Sequence, residues 1–296
     1  MLAFVLLLSA AGVALVGITA IAVHFAGGPR LRAVMPAMML GRLSANAVMI
    51  SSALTFGAAL LAASAMARIE RRPLNGYGLP LAPAFAQNFA EGIAAGFVAI
   101  TLVLAATYAT GELRFDGLHE TGIALVADAF GWAVAFVLLA LSEEYVFRGY
   151  VQFTLTSGTR FWFAALLTSV AFALAHTRNH GETAQGVVQV VIFALVLCFA
   201  LWRSGNLWFG IGLHAAWDWS ETYFYGTPDS GLVTPHAFLA TTLSGPAWLS
   251  GSTAGPEGSV FAIVALIAVG AYVWFRFPGQ RYPARGVRVG STTGIS

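Results

Sequence analysis

Residues 132–148 read WAVAFVLLALSEEYVFR, so an apolar run ends in two adjacent glutamates followed closely by an arginine. Charge at the end of a membrane-length apolar run is costly, because each charged group must leave water or find a partner. On a helix, Glu144 and Arg148 lie on one face and can pair, whereas Glu143 points about 100° away from Glu144. We therefore predict that Arg148 neutralises Glu144 structurally and that Glu143 stays free for chemistry.

The composition indicates a membrane protein. The chain has 296 residues, of which 58% are hydrophobic and 9% charged, and its mean hydropathy is +0.77. Soluble domains are typically about 45–50% apolar, so we expect a multi-pass integral protein of the cell membrane. All fifteen basic residues are arginines, and the formal net charge of +2 is too small to suggest nucleic acid. We expect the lipid bilayer as a partner and no nucleic acid.

The apolar runs predict an all-α fold, a polytopic membrane bundle of about eight transmembrane helices. A run of about 20 apolar residues is long enough to cross a bilayer as a helix, and Gly, Pro and charged residues separate the runs in this chain. The predicted spans are 2–26, 44–67, 86–109, 122–142, 161–177, 186–202, 205–222 and 259–275.

Two further polar clusters lie on apolar segments in the second half of the chain. In FALAH, residues 172–176, an aromatic ring and an imidazole are four residues apart. A lone histidine on an apolar helix is more often a satisfied core residue than a base. In HAAWD, residues 214–218, the Asp218 carboxylate can accept from the His214 ring and fix its tautomer. The alternative is a helix-stabilising pair at a membrane boundary.

Glu143, His176 and the His214–Asp218 pair together form a set that helix packing could bring together. A glutamate can take a proton from water, and a histidine can hold that water or stabilise an oxyanion, so the set suits hydrolysis. Two histidines and a glutamate also form a catalytic zinc set, which makes Glu143, His176 and His214 candidate metal ligands. The residues alone leave both mechanisms open, with zinc as the candidate cofactor.

The motifs EExxxR, FxxxH and HxxxD, in this order, resemble those of the CPBP (Abi) family of intramembrane proteases. This family includes the type II CaaX prenyl endopeptidases and bacterial proteins linked to bacteriocin processing and self-immunity. The resemblance covers about residues 125–222. It implies that Glu143 is the general base and that His176 shares its water or a metal, while Glu144, Arg148 and Phe172 support them.

The resemblance also implies that His214 and Asp218 steady the oxyanion or complete a metal site. The prenyl endopeptidases tend to have asparagine at the position of Asp218. An ionised aspartate accepts hydrogen bonds but does not donate them, so Asp218 is better suited to orienting His214 or binding a metal.

The apolar runs and the composition, together with the resemblance for the core, divide the chain into five parts. These are N-terminal transmembrane helices 1–121, catalytic core helices 122–222, a polar loop 223–258, a final transmembrane helix 259–275 and a disordered arginine-rich tail 276–296. We expect an intramembrane (metallo)endopeptidase, metal-dependent or not, acting on a membrane-associated peptide or protein. The relatives imply a prenylated CaaX-type substrate. One alternative is a non-catalytic immunity or resistance protein of the same fold. Another is a transporter, although the inverted repeats common in transporters are not visible.

Two other polar features have simpler interpretations. Asp128 lies on the same predicted helix as Glu143, and we interpret it as a structural or boundary residue. His180 follows His176 at a spacing that could bind a metal on a helix, but Asn179 and Gly181 indicate that the helix has already ended. We therefore place His180 in a solvated loop.

Overall fold

The computed structural model describes residues 1–26, 44–80, 84–119, 122, 124–234 and 237–282. Most of these residues are helical. The helices of the first half are α1 (Leu2–Ala26), α2 (Ala45–Glu70), α3 (Ala84–Ala109) and α4 (Ala124–Glu144). Those of the second half are α5 (Gln152–Gly158), α6 (Phe161–His176), α7 (Ala184–Ser204), α8 (Trp208–Asp218), α9 (Ala247–Ser250) and α10 (Val260–Arg276).

Each of the eight predicted spans falls on a helix, but the number of membrane crossings stays a prediction. Among the described residues, four helical segments are long and apolar enough to cross a membrane: Ala45–Glu70, Phe85–Ala109, Leu125–Gly158 and Ala184–Ser204. Three shorter apolar helices are Leu2–Leu15, Phe161–His176 and Val260–Arg276. The long and the short apolar helices both expose large apolar side chains, such as Phe130, Leu102 and Ile267, which suit a lipid environment.

The expectation of an all-α fold needs one correction. Strands β1 (Leu113–Leu118) and β2 (Leu239–Leu243) pair in an antiparallel two-stranded sheet with an irregularity between Phe115 and Gly117. Both strands lie outside the apolar runs, where their backbone groups cannot join a spanning helix and bond to each other instead. β2 belongs to segment 223–258, for which a polar loop was expected and which also contains α9 and short 3₁₀ turns.

The last described residues lie in the predicted tail 276–296. Arg276 pairs with Glu91 of α3 at 2.8 Å. The ring of Tyr282 lies 4.7 Å from that of Phe153 and 4.8 Å from that of Phe161, measured between centroids. This part of the tail therefore packs on the bundle, and residues 283–296 lie outside the described residues.

Helix α8 is buried along its whole length and packs against α3, α4 and α7. Glycines allow this close approach. A Cβ atom at Gly96 of α3 would overlap the carbonyl oxygen of Leu213, and one at Gly212 of α8 would overlap the carbonyl oxygen of Phe89. Small residues let helix backbones approach closely. The contact holds α8, and with it His214, in the centre of the bundle.

Replacing Gly96 by alanine tests this contact. We expect Gly96→Ala to lower the free energy of unfolding by about 1–3 kcal/mol, because the added methyl group must push two helix backbones apart. Thermal unfolding of the purified protein in detergent measures the effect. The matched control is Gly270→Ala on α10, where nothing lies within 4 Å of an added Cβ and where helix propensity alone should make alanine neutral or stabilising. Equal unfolding temperatures for Gly96→Ala and the parent would contradict the close packing.

Candidate functional site

The two adjacent glutamates end α4 and have different surroundings. After Glu144 the chain continues as a π-helix, Tyr145–Val151, which is kinked at Gly149. The side chain of Glu144 is 1% exposed, whereas that of Glu143 is 25% exposed and faces a cavity. The wider π-helical turn is a common feature of functional sites. The predicted separation of the two carboxylates is therefore present.

Glu144 joins two elements through one oxygen atom. Arg148 Nη1 donates to Glu144 Oε1 at 3.0 Å, which is the pair predicted from sequence. His214 Nδ1 lies 3.1 Å from the same oxygen. Since a carboxylate paired with arginine is ionised and can only accept, Nδ1 of His214 carries the proton and donates it. The contact between α4 and His214 was not predicted.

The ring of Phe172 contacts Arg148 and packs against both histidines. The Arg148 guanidinium sits 4.2 Å from the centre of the Phe172 ring, a cation–π contact inside the protein. The same ring lies 4.5 Å from the His176 ring and 6.0 Å from the His214 ring. Phe172 thus packs against Arg148 and against both imidazoles, and its supporting role stays a prediction.

The other nitrogen of His214 faces two carboxylates. His214 Nε2 is 3.4 Å from Asp218 Oδ2 and 3.7 Å from Glu143 Oε2. His176 Nδ1 lies 2.9 Å from the carbonyl oxygen of Phe172, which can only accept, so this nitrogen donates and Nε2 is left without a proton when the ring is neutral. Glu143, His176, His214 and Asp218 all line one cavity of about 250 Å³. The structure therefore brings the four predicted site residues together.

The donor types suit a metal better than their spacing does. In both imidazoles Nδ1 lies within hydrogen-bond distance of an oxygen atom, which leaves Nε2 as the possible ligand atom. This is the usual arrangement of a zinc-binding histidine. Among the described residues, however, the three-residue group whose ligand atoms lie within 4.8 Å of one another is Glu221, Asp229 and Glu257. The predicted set Glu143, His176 and His214 fits zinc by chemistry and would have to draw closer to hold it.

Sequence reasoning missed one wall of this cavity. Asp229, Ser230 and Glu257, from the expected polar loop 223–258, line it together with the helical residues. Burial, followed by neighbouring carboxylates, raises the pKa of Glu257 to about 8 and that of Asp229 well above its usual range. Asp229 and Glu257 are the only acidic residues of that segment, a signal that could have pointed to them. His180 is exposed in the turn after α6, as expected.

The comparison with protein families agrees with this geometry. Residues 125–220 match the family described as type II CAAX prenyl endopeptidase Rce1-like. The match spans about a third of the chain and contains all four cavity residues predicted from the motifs, so the resemblance is confirmed for this segment. No curated protein and no solved structure matches the chain. The Rce1-like match and the four apolar helices together indicate an integral membrane protein, of which residues 125–220 are similar to a protease family.

Removing the arginine tests the buried pair. We expect Arg148→Met to lower the free energy of unfolding by about 3–5 kcal/mol, because Glu144 would keep a buried charge without its strongest partner. Thermal unfolding in detergent is the measurement. Arg160→Met is the control, since Arg160 is exposed at the start of α6 and its loss should change stability by less than about 1 kcal/mol. Similar effects of the two substitutions would argue against a structural Glu144–Arg148 pair.

Proposed function

We propose that this protein is a membrane-embedded endopeptidase in which Glu143 activates a water molecule to hydrolyse a peptide bond. The observation that carries the proposal is the separation of the two glutamates. Glu144 is buried and bonded to Arg148 and His214, while Glu143 reaches a cavity shared with two histidines. Only Glu143 of the two is placed to exchange a proton with a substrate.

In the first step, Glu143 takes a proton from water as the water oxygen attacks the carbonyl carbon of the scissile bond. His176 lines the same cavity, and Nε2 of its neutral ring can accept a hydrogen bond from that water. Its Nδ1–H bond to the Phe172 carbonyl fixes the ring in this orientation. Glu143 and His176 together would therefore orient the water for attack.

The attack turns the carbonyl oxygen into an oxyanion that needs a hydrogen-bond donor. Protonated His214 has N–H groups on both ring atoms, so Nδ1 can donate to Glu144 while Nε2 donates into the cavity. Asp218, 3.4 Å from Nε2, orients this group and balances its charge. When the tetrahedral intermediate collapses, the C–N bond breaks and Glu143 returns its proton to the leaving nitrogen.

The cavity also suits a peptide that is partly apolar. Phe136, Leu139, Val190 and Phe193 line it beside the polar residues. The family match makes a membrane-associated CaaX-type protein, whose modified cysteine carries a prenyl chain, the substrate class that we propose. Cleavage of a prenylated peptide but not of its unmodified counterpart would support this class.

Substitution of the proposed base tests the mechanism. We expect Glu143→Gln to lower kcat for a membrane-associated peptide by about 10²–10⁴-fold, since glutamine cannot take the proton from water. His176→Ala and His214→Ala should lower kcat by about 10²-fold or more, because each removes a group that contacts the water or the oxyanion. Cleavage rates of the purified protein in liposomes measure these effects.

Two further variants belong to this experiment, and the first of them is its control. Asp128→Asn makes the same carboxylate-to-amide change on the same helix as Glu143 but outside the cavity, so its rate should equal that of the parent. Asp218→Asn keeps an acceptor for His214 but removes the balancing charge, so its rate should fall, by up to about tenfold. If the Glu143, His176 and His214 variants all cleave as fast as the parent, the protease proposal fails.

Zinc remains a proposed cofactor of the same site. Glu143, His176 Nε2 and His214 Nε2 would hold it, and a bound zinc ion would make its water more acidic. The proposal expects about one zinc per purified chain and a lower content in His214→Ala. Elemental analysis measures this independently of activity. Full activity in a chain shown to be free of zinc would remove zinc from the mechanism.

A further inference from the structure

Three carboxylates form a compact cluster on one side of the cavity. Carboxylate oxygens of Glu221, Asp229 and Glu257 all lie within 4.8 Å of one another. Glu221 is 0% exposed, Asp229 is 9% exposed and Glu257 is half-buried, so solvent reaches the cluster only in part. Three negative charges this close repel one another strongly inside a protein, so the cluster needs neutralisation by protons or by a cation.

Each carboxylate is oriented by a donor on one of its two oxygens. Thr222 donates its hydroxyl to Asp229 Oδ2 at 2.9 Å. The backbone N–H and the hydroxyl of Ser230 donate to Glu257 Oε1 at 2.6 and 2.7 Å. The backbone N–H of Glu257 donates to Glu221 Oε1 at 3.2 Å. These bonds fix the three carboxylates and leave the second oxygen of each for another partner.

The second oxygen of Glu221 gives independent evidence that the cluster lacks a ligand. Glu221 Oε2 is fully buried and has no hydrogen-bond partner among the described residues. A buried carboxylate oxygen without a partner is costly, and the ion pairs found in the described part of the chain do not include any of the three acids. The chain has no lysine that could serve as a counterion.

We propose that Glu221, Asp229 and Glu257 bind one divalent cation through oxygen ligands, with calcium as the ion that fits best. Calcium–oxygen distances are about 2.3–2.6 Å, so the ligand atoms of one ion lie within about 5 Å of one another. The carboxylate oxygens of this cluster meet that condition, because they all lie within 4.8 Å of one another. An all-oxygen set favours calcium or magnesium, whereas the proposed zinc set contains two histidines. The cation site is therefore chemically distinct from the hydrolytic residues.

Calcium binding to the full-length protein tests the proposal. The protein is purified in detergent, stripped with a chelator and titrated with calcium and with magnesium by calorimetry. We expect about one calcium per chain with a Kd below about 1 mM, and a higher unfolding temperature in calcium than in chelator. Absence of binding of either ion at millimolar concentration would overturn the proposal and show that protons neutralise the cluster.

Variants locate the ion. Glu221→Gln and Asp229→Asn should each weaken calcium binding by about tenfold or more. Glu221→Asp keeps the charge but withdraws the oxygen, so it should weaken binding too and remains informative if the amide variants fold poorly. The exposed Asp116→Asn removes one charge elsewhere and should bind like the parent. Unchanged affinity in the cluster variants, or an equal loss in Asp116→Asn, would refute the site.

Glu143→Gln separates this proposal from the hydrolytic one. It should lower peptide cleavage by about 10²–10⁴-fold and change calcium affinity less than the cluster variants do, because Glu143 is not a member of the cluster. A protein that binds calcium but cleaves nothing would support the cation site and reject the protease. A protein that cleaves the peptide but binds neither calcium nor magnesium would support the protease and reject the cation site.

Discussion

Glu144 Oε1 accepts hydrogen bonds from Arg148 and from His214, and the rest of the site depends on this one atom. The carboxylate is 1% exposed, so its charge can exist there only because both partners are present. The two bonds tie the end of α4 to the π-helix that follows it and to the central helix α8. They also fix which nitrogen of His214 faces the cavity.

The exposure of the adjacent Glu143 to the cavity follows from the burial of Glu144. Because Glu144 is held inward, the helical turn directs Glu143 into the cavity, where its Oε2 lies 3.7 Å from His214 Nε2. Neighbouring residues of one helix thus have opposite roles, one structural and one open to chemistry. A second structural constraint lies at Gly96 and Gly212, which let α3 and α8 approach closely enough to keep His214 in the bundle centre.

The cavity contains more carboxylates than the three sequence motifs supply. Asp229 and Glu257 come from segment 223–258 and line the same cavity as the helical residues. Their positions follow from long-range contacts, such as the bond from the Glu257 N–H to Glu221, 36 residues earlier in the chain. A polar segment rich in glycine and proline has no periodicity that would place its side chains, so the sequence predicted only a loop there.

The amino-acid sequence by itself determined the helical segments, the Glu144–Arg148 pair and the three motifs, because each depends on residues within a turn or two of helix. Only the tertiary structure decided that His214 bonds to Glu144, 70 residues away, and that β1 pairs with β2. It also decided that Glu221 shares a cluster with Asp229 and with Glu257, which lies 36 residues further along the chain. These contacts join segments far apart in the chain, and packing rather than local periodicity selects them.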